Sequence, residues 1–265
     1  MGRFIWTHLI SCVCSVLQVP LSISRITRIF YGRASFIKEL RTHSQEPVVM
    51  QTDQTDLWQD HTRSGNLLPR DGIVEYRGDL FDSRESDSLF QALRASIDWQ
   101  HDEVIMFGRR RVLSRMVAWQ GDESFSYIYA GTSKTATQWT PELLPIKERV
   151  ERTSAARFNS CLLNFYQDGS EGMGWHSDDE SSLGRNPVIA SVSFGSERVF
   201  KFKHRATKEV VAVALGHGSL LMMKGATQHH WVHALPKSTR ISSPRINLTF
   251  RLFTGAPTGR HGEQG

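Results

Sequence analysis

The chain has 265 residues, of which 39% are hydrophobic and 22% charged, and this size and composition are typical of a globular protein with a substantial core. Its cysteines, Cys12, Cys14 and Cys161, exclude a disulfide framework and a cysteine-based zinc site by their number and spacing. The formal net charge is +5, but residues 1–49 hold six of the 32 basic and only two of the 27 acidic residues. The remaining chain is nearly neutral, so any binding of nucleic acid must come from local basic patches.

Residues 1–49 form an atypical N-terminal segment. The apolar stretch from Phe4 to Val19 is interrupted by polar side chains, which disfavours a membrane anchor. Met50 begins a polar stretch with the composition of a natural start, and residues 50–70 are expected to be a flexible lead. Two hypotheses remain for the segment. An over-extended start predicts a cytoplasmic protein of bacterial type, whereas an organelle transit segment predicts an organelle location.

Two helices are predicted next. The first covers residues 82–99, where Asp82 or Ser83 can act as the N-cap and leucine and isoleucine recur at four-residue spacing. The second begins with Thr140 as its cap and Pro141 at the first helical position.

From Phe158 onward, short runs of strand character replace the helical pattern. Turn residues separate these runs, which are FNSCLLNFY, NPVIASVSFG, RVFKFKH, EVVAVAL, SLLMMKG and PRINLTFRLF. In the run from Arg198 to His204, apolar and basic residues alternate, which is typical of a half-exposed strand. Helices followed by a run of strands indicate the α+β class, with a β-sandwich or barrel in the C-terminal half. Residues 256–265 are expected to be a disordered tail.

The stretch GWHSDDE contains a candidate pair of metal ligands. His176 and Asp178 are separated by one residue, so on extended backbone both side chains leave from the same face. A third donor could come from His229, His230 or His233 in QHHWVHALP. Two imidazoles and one carboxylate are the ligand set of non-haem Fe(II) oxygenases. The alternative is an acidic surface loop that happens to contain a histidine.

A second constellation lies on the last predicted strand. Four polar residues of PRINLTFR share one parity and therefore one face: Arg245, Asn247, Thr249 and Arg251. Arginines on the inward face of an apolar strand are costly without anionic partners. Asn164 and Tyr166 repeat this arrangement just before the candidate metal ligands. The pattern fits either a bound dicarboxylate, held by guanidinium groups, or a pair of internal salt bridges.

Six ordered motifs now resemble those of a known family. NFYQDG, GWHSDDE, IASVSFGSERVFKF, LGHGSLLMM, HHWVHALP and PRINLTFR are similar in order and spacing to the AlkB family of Fe(II)- and 2-oxoglutarate-dependent alkylation-repair dioxygenases, and most of all to its branch that repairs double-stranded DNA. The resemblance runs from about Asn66 to Phe253. It implies a dioxygenase domain over residues 71–255 with a double-stranded β-helix (jelly-roll) core, N-terminal supporting helices and a β-hairpin nucleotide-recognition lid over about residues 100–135.

The resemblance also implies roles for the constellations. It assigns iron to His176, Asp178 and His233, which leaves His229, His230 and His217 as loop or supporting residues. It assigns the distal carboxylate of 2-oxoglutarate to Asn164, Tyr166 and Arg245. The iron end of that site falls to Asn247, Thr249 and Arg251, and Arg251 would also steady Asp178 as part of the catalytic set.

The implied reaction is oxidative demethylation of 1-methyladenine and 3-methylcytosine in DNA. O2 and 2-oxoglutarate are consumed, the methyl group is hydroxylated, and succinate, carbon dioxide, formaldehyde and the unmodified base are released. The methylated base must first leave the stack. The family pattern places Tyr129 on the flipped base opposite the His176 ring. Tyr127 shares its face, and Glu180 can accept a hydrogen bond from an exocyclic amino group.

The segment EVIMFGRRRVLSR is implied to hold the duplex. Phe107 would act as a hydrophobic finger that fills the gap left by the flipped base, and Arg109 and Arg110 would contact phosphates together with Arg111 and Arg115. A plain hairpin with a solvated basic edge is the alternative. A second basic group offers either phosphate binding or an ordinary surface, and comprises Lys201, Lys203, His204, Arg205 and Lys208.

Other functions remain open from the sequence alone. The same fold could serve an RNA or single-strand demethylase, a non-catalytic nucleic-acid-binding relative or a small-molecule oxygenase. The expected partner is alkylated DNA, with duplex preferred and RNA as an alternative. No membrane association is expected, and the protein is expected to act as a monomer.

Overall fold

A computed structural model of the chain describes residues 65–106, 109–129 and 132–254, without the side chains of residues 104–106, 126–129 and 132–134. Several predictions made from the sequence concern residues outside this part of the chain. They are the alternatives for residues 1–49, the flexible lead up to residue 64, the finger Phe107 and the tail over residues 256–265.

The described chain contains thirteen strands, three α-helices and a short 3-10 helix over Ser181–Leu183. The N-terminal part comprises β1 (Ile73–Arg77), α1 (Ser83–Ser96), β2 (Gln100–Met106), β3 (Arg109–Gly121), β4 (Ser126–Tyr129), β5 (Thr132–Thr135) and α2 (Leu143–Ser154). The C-terminal part comprises β6 (Ser160–Tyr166), β7 (Met173–His176), β8 (Ile189–Gly195), β9 (Arg198–His204), β10 (Val210–Leu215), β11 (Ser219–Lys224), α3 (Thr227–His230), β12 (Trp231–Leu235) and β13 (Arg245–Arg251).

Eleven of these strands form a sandwich of two antiparallel sheets. The larger sheet has the order β1-β11-β8-β13-β6-β3-β2, and the smaller has the order β10-β9-β12-β7. Strands β6 to β13 contribute four strands to each sheet and alternate between the sheets along the chain except at the β9–β10 hairpin, which is the arrangement of a jelly roll. The α+β class and the C-terminal sandwich predicted from the sequence are therefore confirmed.

Two hydrophobic clusters hold these layers together. One lies between the sheets and includes Phe202, Trp231 and Leu221. The other covers the opposite face of the larger sheet, where Leu93 of α1 and Ile146 of α2 pack with residues of β6, β8 and β13. Both faces of the larger sheet are covered, so nearly every residue of its central strands β6, β8 and β13 is buried, including the polar residues that alternate with apolar ones along β13.

The helices agree with the sequence at one N-terminus and differ at the other. Asp82 caps α1, since its side chain accepts a hydrogen bond from the backbone N–H of Glu85 at 2.8 Å. The prediction of Thr140 as the cap of α2 is wrong, because the helix begins at Leu143. The backbone N–H of Thr140 instead donates to Gln120 Oε1 at 2.9 Å, which ties the residue to β3 before the helix starts.

The expected flexible lead ends earlier than residue 70. Leu68 is buried in the cluster between the sheets. Asn66 Oδ1 accepts hydrogen bonds from the backbone N–H groups of Leu68 and Val74, and Arg70 O accepts one from Trp231 Nε1. Residues 65–70 therefore belong to the folded domain.

The half-exposed strand expected over Arg198–His204 is present as β9, but its first two residues are oriented against the expectation. Arg198 is buried and its guanidinium donates to the backbone carbonyls of Asp168, Glu171 and Pro236. Val199 is exposed instead. Three acceptors supplied by distant loops thus allow a cation to occupy the buried end of this strand.

Within the described residues, no helix has both the length and the hydropathy needed to cross a bilayer.

Candidate metal centre

Two histidines face each other across the smaller sheet. His176 is the last residue of β7, and His233 is its register partner on β12. Their Nε2 atoms are 3.1 Å apart. The register shifts between this pair and the pair of Met173 with Leu235, and such a bulge re-aims side chains at the end of a strand. Asp178 completes the group, because its carboxylate and both imidazoles have ligand atoms within 4.8 Å of one another.

The protonation of both rings suits metal binding. His176 Nδ1 lies 2.8 Å from the carbonyl oxygen of Gly174, which can only accept, so Nδ1 carries the proton and Nε2 presents its lone pair. Burial, reinforced by the nearby His176, lowers the pKa of His233 to about 3. His233 is therefore a neutral ring at physiological pH, which is the form that binds metals.

Asp178 is held in place from two sides. Its carboxylate lies 2.9 Å from Arg251 Nη2 in a buried ion pair, and its backbone N–H donates to Gln228 Oε1 at 3.0 Å. Burial would raise the pKa of Asp178, but the charge of Arg251 and the two histidines outweigh it and lower the pKa to about 2. The carboxylate is therefore ionised at physiological pH. Sequence reasoning missed Gln228, since nothing marks an amide in a histidine-rich stretch as a support for a distant aspartate.

The arginine beside this group has no acidic partner among the described residues. Arg245 is buried, its Nη2 donates to Ser193 Oγ at 3.0 Å, and its guanidinium carbon lies 5.6 Å from the centre of the Tyr166 ring. Burial lowers the pKa of Arg245 to about 10, so the group stays charged at neutral pH. The internal salt bridge that the sequence left open is thus formed by Arg251 and not by Arg245. A buried cation in this position favours an anionic ligand.

The remaining polar residues of β6 and β13 line the same pocket as these groups. Asn247 Nδ2 donates to Ser191 Oγ at 2.8 Å, and Thr249 Oγ1 donates to Asn247 Oδ1 at 3.2 Å. Asn164 Oδ1 and Arg245 Nε are buried without a hydrogen-bond partner among the described groups. The pocket-lining residues that the sequence singled out are Asn164, Tyr166, His176, Asp178, Glu180, His233, Arg245, Asn247, Thr249 and Arg251. The unpaired N–H of the charged Arg245 guanidinium indicates a polar, anionic occupant.

Glu180 borders this pocket from the loop after β7. Its Oε2 is buried and has no hydrogen-bond partner among the described residues. Burial raises the pKa of Glu180, although the nearby Arg251 works in the opposite direction. The carboxylate is therefore available as an acceptor for a donor group that enters the pocket.

The predicted DNA contacts are described only in part. Phe107 and the side chains of Tyr127 and Tyr129 lie outside the described groups. Arg109 and Arg110 are exposed at the start of β3, opposite β2 in an antiparallel hairpin, and Arg110 forms an ion pair with Glu103.

Two of the other basic residues that were considered as phosphate contacts are buried rather than exposed. Arg115 is buried and forms an ion pair with Asp102, so it is part of the hairpin's internal structure rather than a free phosphate contact. His204 is also buried, whereas Arg205 and Lys208 are exposed in the turn between β9 and β10.

A second cluster has ligand-like spacing but a different chemistry. The ligand atoms of Asp71, His204 and His230 lie within 4.8 Å of one another. His204 Nδ1 accepts a hydrogen bond from the backbone N–H of Thr207 at 3.0 Å, so the neutral ring carries its proton on Nε2, which lies 3.2 Å from the Asp71 carboxylate. A ring in this tautomer pairs with the aspartate and offers no lone pair to a metal.

The other histidines singled out in the sequence lie away from the metal centre. His229 is exposed in α3. His217 accepts a hydrogen bond from the backbone N–H of Gly195 and lies 3.2 Å from Asp87.

Comparisons with known proteins agree with this geometry. The model of the 2OG-Fe(II) oxygenase superfamily matches residues 74–251. Bovine alpha-ketoglutarate-dependent dioxygenase alkB homolog 3 (Bos taurus) is 38% identical over 189 residues, which cover 68% of this chain and 66% of the bovine protein. Mouse DNA oxidative demethylase ALKBH2 (Mus musculus) is 39% identical over 183 residues, covering 65% of this chain and 77% of the mouse protein. The enzyme of the same name from Arabidopsis thaliana is 33% identical over 197 residues, covering 64% and 62% of the two chains. The chain thus spans about two thirds of the length of these relatives.

Proposed function

The chain belongs to the AlkB family of the 2OG-Fe(II) oxygenase superfamily, and on this premise we propose that it removes methyl groups oxidatively from N-alkylated bases of DNA. The reaction consumes O2 and 2-oxoglutarate and releases succinate, carbon dioxide and formaldehyde. The observation that carries the proposal is the convergence of the ligand atoms of His176, Asp178 and His233. They lie beside the buried guanidinium of Arg245, which has no acidic partner among the described residues.

The three ligands fit an Fe(II) ion. Two neutral imidazoles and one ionised carboxylate are the donor set that non-haem iron oxygenases use, and Gly174 and Arg251 orient two of the three groups through their contacts with His176 and Asp178. When bound, iron supplies the oxidising power for attack on a methyl C–H bond. The protein's own contribution is to position the ligands and to exclude other C–H bonds.

Arg245 and its neighbours fit 2-oxoglutarate. A buried guanidinium with an unpaired Nε can hold a carboxylate through charge-assisted hydrogen bonds. The Asn164 side chain lines the same pocket, where its amide N–H group can donate to the carboxylate, and Tyr166 lies against the guanidinium. Asn247, Thr249 and Arg251 would line the end of the cosubstrate nearer the metal.

Glu180 gives the site its preference among bases. Its buried and unpaired Oε2 can accept a hydrogen bond from the exocyclic amino group of adenine or cytosine. A methyl group on the pairing edge of these bases already breaks the base pair, which lowers the cost of flipping the base into the pocket. The stacking partners would be the His176 ring and Tyr129, with Tyr127 beside it. Lesions such as 1-methyladenine and 3-methylcytosine are therefore the expected substrates.

The β2–β3 hairpin is proposed as the element that grips the duplex. Phe107 directly follows β2 in the sequence and would fill the gap left by the flipped base, while Arg109 and Arg110 would contact phosphates. Glu103 already pairs with Arg110, so phosphate binding by Arg110 requires exchange of that partner. RNA and single strands are the competing substrates, and their turnover relative to duplex tests the role of the hairpin.

A formaldehyde assay tests the proposed function. The protein is loaded anaerobically with Fe(II) and 2-oxoglutarate and then given O2 with 1-methyladenine in duplex DNA, single-stranded DNA or RNA. His229→Ala serves as the matched control for His233→Ala, because both histidines belong to the same stretch but only His233 points into the pocket. We expect formaldehyde from DNA with the wild type and His229→Ala and none with His233→Ala. Formaldehyde formation by His233→Ala, or its absence with the wild type on every methylated substrate, would contradict the proposal.

We further propose that the enzyme acts as a monomer in the cytoplasm. Mass spectrometry of the native N-terminus and light scattering of the purified protein check these expectations. A native N-terminus within residues 1–49, followed by organelle import, would contradict the location.

A further inference from the structure

Trp175 stands out on the surface beside the metal centre. Its side chain is 44% exposed, and among the phenylalanine, tyrosine and tryptophan side chains whose burial the structure describes, it alone is exposed. The residue directly precedes the metal-binding candidate His176 within β7, at the register shift of that strand. An exposed indole in such a position costs hydrophobic free energy unless something covers it.

Lys203 partly covers this indole. It lies on β9, and its Nζ is 4.3 Å from the centre of the Trp175 ring. This is a cation–π contact, which restrains the ring while its charge remains near the surface. Trp175 remains 44% exposed despite the contact, so a planar group can still approach it.

Positive charge continues from this pair toward the mouth of the pocket. Arg205 donates to Ser177 Oγ at 2.6 Å, and Ser177 lines the pocket that contains the metal ligands. Asp179 lies 3.5 Å from Arg205 and offsets part of its charge. Lys203 and Arg205 therefore flank a surface that leads from the exposed indole to the candidate active site.

We propose that Trp175 and Lys203 form a binding site for a nucleotide that flanks the methylated one on the same strand. The neighbouring base stacks on the indole, and Lys203 attracts the adjoining phosphate, with Arg205 at the edge of the site. The combination of an aromatic platform with cations is characteristic of single-strand binding, and it tolerates any sequence because every base has a π-face. This inference rests on the proposed function, since it assumes that the substrate is a nucleic acid.

The site predicts a dependence on substrate length. A methylated mononucleotide such as 1-methyl-dAMP cannot reach Trp175 and the active site together, whereas a methylated single-stranded oligonucleotide can. We expect Trp175→Ala to raise the KM of the oligonucleotide about fivefold or more. The difference in KM between the oligonucleotide and the mononucleotide should therefore become smaller. Trp175→Phe keeps an aromatic face and should therefore keep most of the wild-type difference in KM between the two substrates. Lys203→Ala reduces the slope of log Kd against log salt concentration by about one.

Two controls separate this role from damage to the metal centre. Leu144→Ala and Arg94→Ala remove an exposed apolar and an exposed basic side chain from the helices behind the larger sheet, and neither should change binding. Mn(II) affinity of each variant, measured by electron paramagnetic resonance, reports on the ligands independently of activity. An equal rise in KM for the mononucleotide and the oligonucleotide with Trp175→Ala, or weakened Mn(II) binding that accounts for the loss, would overturn the proposal.

Equilibrium binding distinguishes failure of this inference from failure of the proposed function. Fluorescence anisotropy with an unmodified single-stranded oligonucleotide requires no turnover. Weaker binding by Trp175→Ala and Lys203→Ala than by the two controls supports the site even if no formaldehyde is formed. Binding by both variants that equals that of the controls overturns the site even if the wild type demethylates DNA.

Discussion

Replacing Arg245 by methionine separates a ligand-binding role from a structural one. Methionine is an unbranched and adaptable apolar side chain that can occupy much of the same space without charge. Among the described residues, Arg245 has no acidic partner and donates only to Ser193 Oγ. The substitution should therefore act in opposite directions on the stability of the ligand-free protein and on its affinity for 2-oxoglutarate.

The magnitudes follow from the burial of the charge. Burial lowers the pKa of Arg245 from 12.5 to about 10, and at about 1.4 kcal/mol for each tenfold change, keeping this cation charged costs about 3 kcal/mol. Because the folded pKa is the lower one, this cost applies in full at neutral pH and is lost only as the pH rises above about 10. Loss of the Ser193 hydrogen bond offsets about 1 kcal/mol. The ligand-free variant should thus gain about 2 kcal/mol of stability.

The effect on the cosubstrate has the opposite sign. A carboxylate bound to a buried guanidinium by two charge-assisted hydrogen bonds loses about 3 kcal/mol or more without it, which is a hundredfold or greater rise in Kd. Urea denaturation of the ligand-free protein and calorimetric titration of the Mn(II)-loaded protein with 2-oxoglutarate measure the two quantities.

Arg198→Met is the matched control for this experiment. Arg198 is also buried, but it donates to three backbone carbonyls, so its loss should lower stability by about 2 to 3 kcal/mol and leave the 2-oxoglutarate Kd much less affected. A large loss of stability in Arg245→Met with an unchanged Kd for 2-oxoglutarate would refute the reasoning.

Four further predictions concern the metal, the base and the duplex. Asp178→Asn removes the anionic ligand and should weaken Mn(II) binding at least tenfold by electron paramagnetic resonance; unchanged affinity would exclude Asp178 as a ligand. Gln228→Leu removes the acceptor of the Asp178 backbone N–H and should weaken Mn(II) binding about tenfold, and an unaltered value would make this contact irrelevant. Glu180→Gln should lower kcat/KM for 1-methyladenine about tenfold but have little effect on 3-methylthymine, which has no exocyclic amino group; equal losses on both would refute base recognition by Glu180. Phe107→Ala should lower the turnover of duplex DNA more than the turnover of single strands. If the variant turned over each substrate as fast as the wild type, Phe107 would not be the hydrophobic finger.

The strands of the larger sheet could be predicted because the pattern of apolar residues within each strand indicates its burial. β8, β11 and β13 are buried on both faces. β8 and β11 are mostly apolar, whereas β13 alternates apolar and polar residues strictly. The parity of β13 also placed Arg245, Asn247, Thr249 and Arg251 on one face, and all four line the pocket. Local periodicity was sufficient to predict these four pocket residues because a single regular strand carries all of them.

The strands that carry the histidines could not be predicted in the same way. β7 is four residues long and contains an exposed glycine and an exposed tryptophan, and β12 follows a run of histidines. β7 is a strand because it pairs with β12, and β12 pairs with β7 on one side and β9 on the other, which is a property of the folded chain. The spacing of His176 and Asp178 pointed to a metal, but spacing alone left three histidines as candidates for the third ligand.

Arg198 and Gln228 show why the remaining contacts were missed. The acceptors of Arg198 come from residues 168, 171 and 236, and Gln228 reaches the backbone of Asp178 across fifty residues of chain. Neither side chain belongs to a local pattern. Buried polar groups are satisfied by whatever the tertiary structure brings near, so their roles become visible only in three dimensions.

Anaerobic titration with Fe(II) in the presence of 2-oxoglutarate tests the metal centre most directly, because a ferrous ion chelated by the keto acid absorbs visible light. We predict that the wild type and His229→Ala each bind one Fe(II) per chain. The visible absorption should be lost when succinate replaces 2-oxoglutarate, and it should also be lost in His233→Ala. Stoichiometric iron binding with full absorption in His233→Ala, or no specific binding in the wild type, would contradict the assignment of His176, Asp178 and His233 to a single iron site.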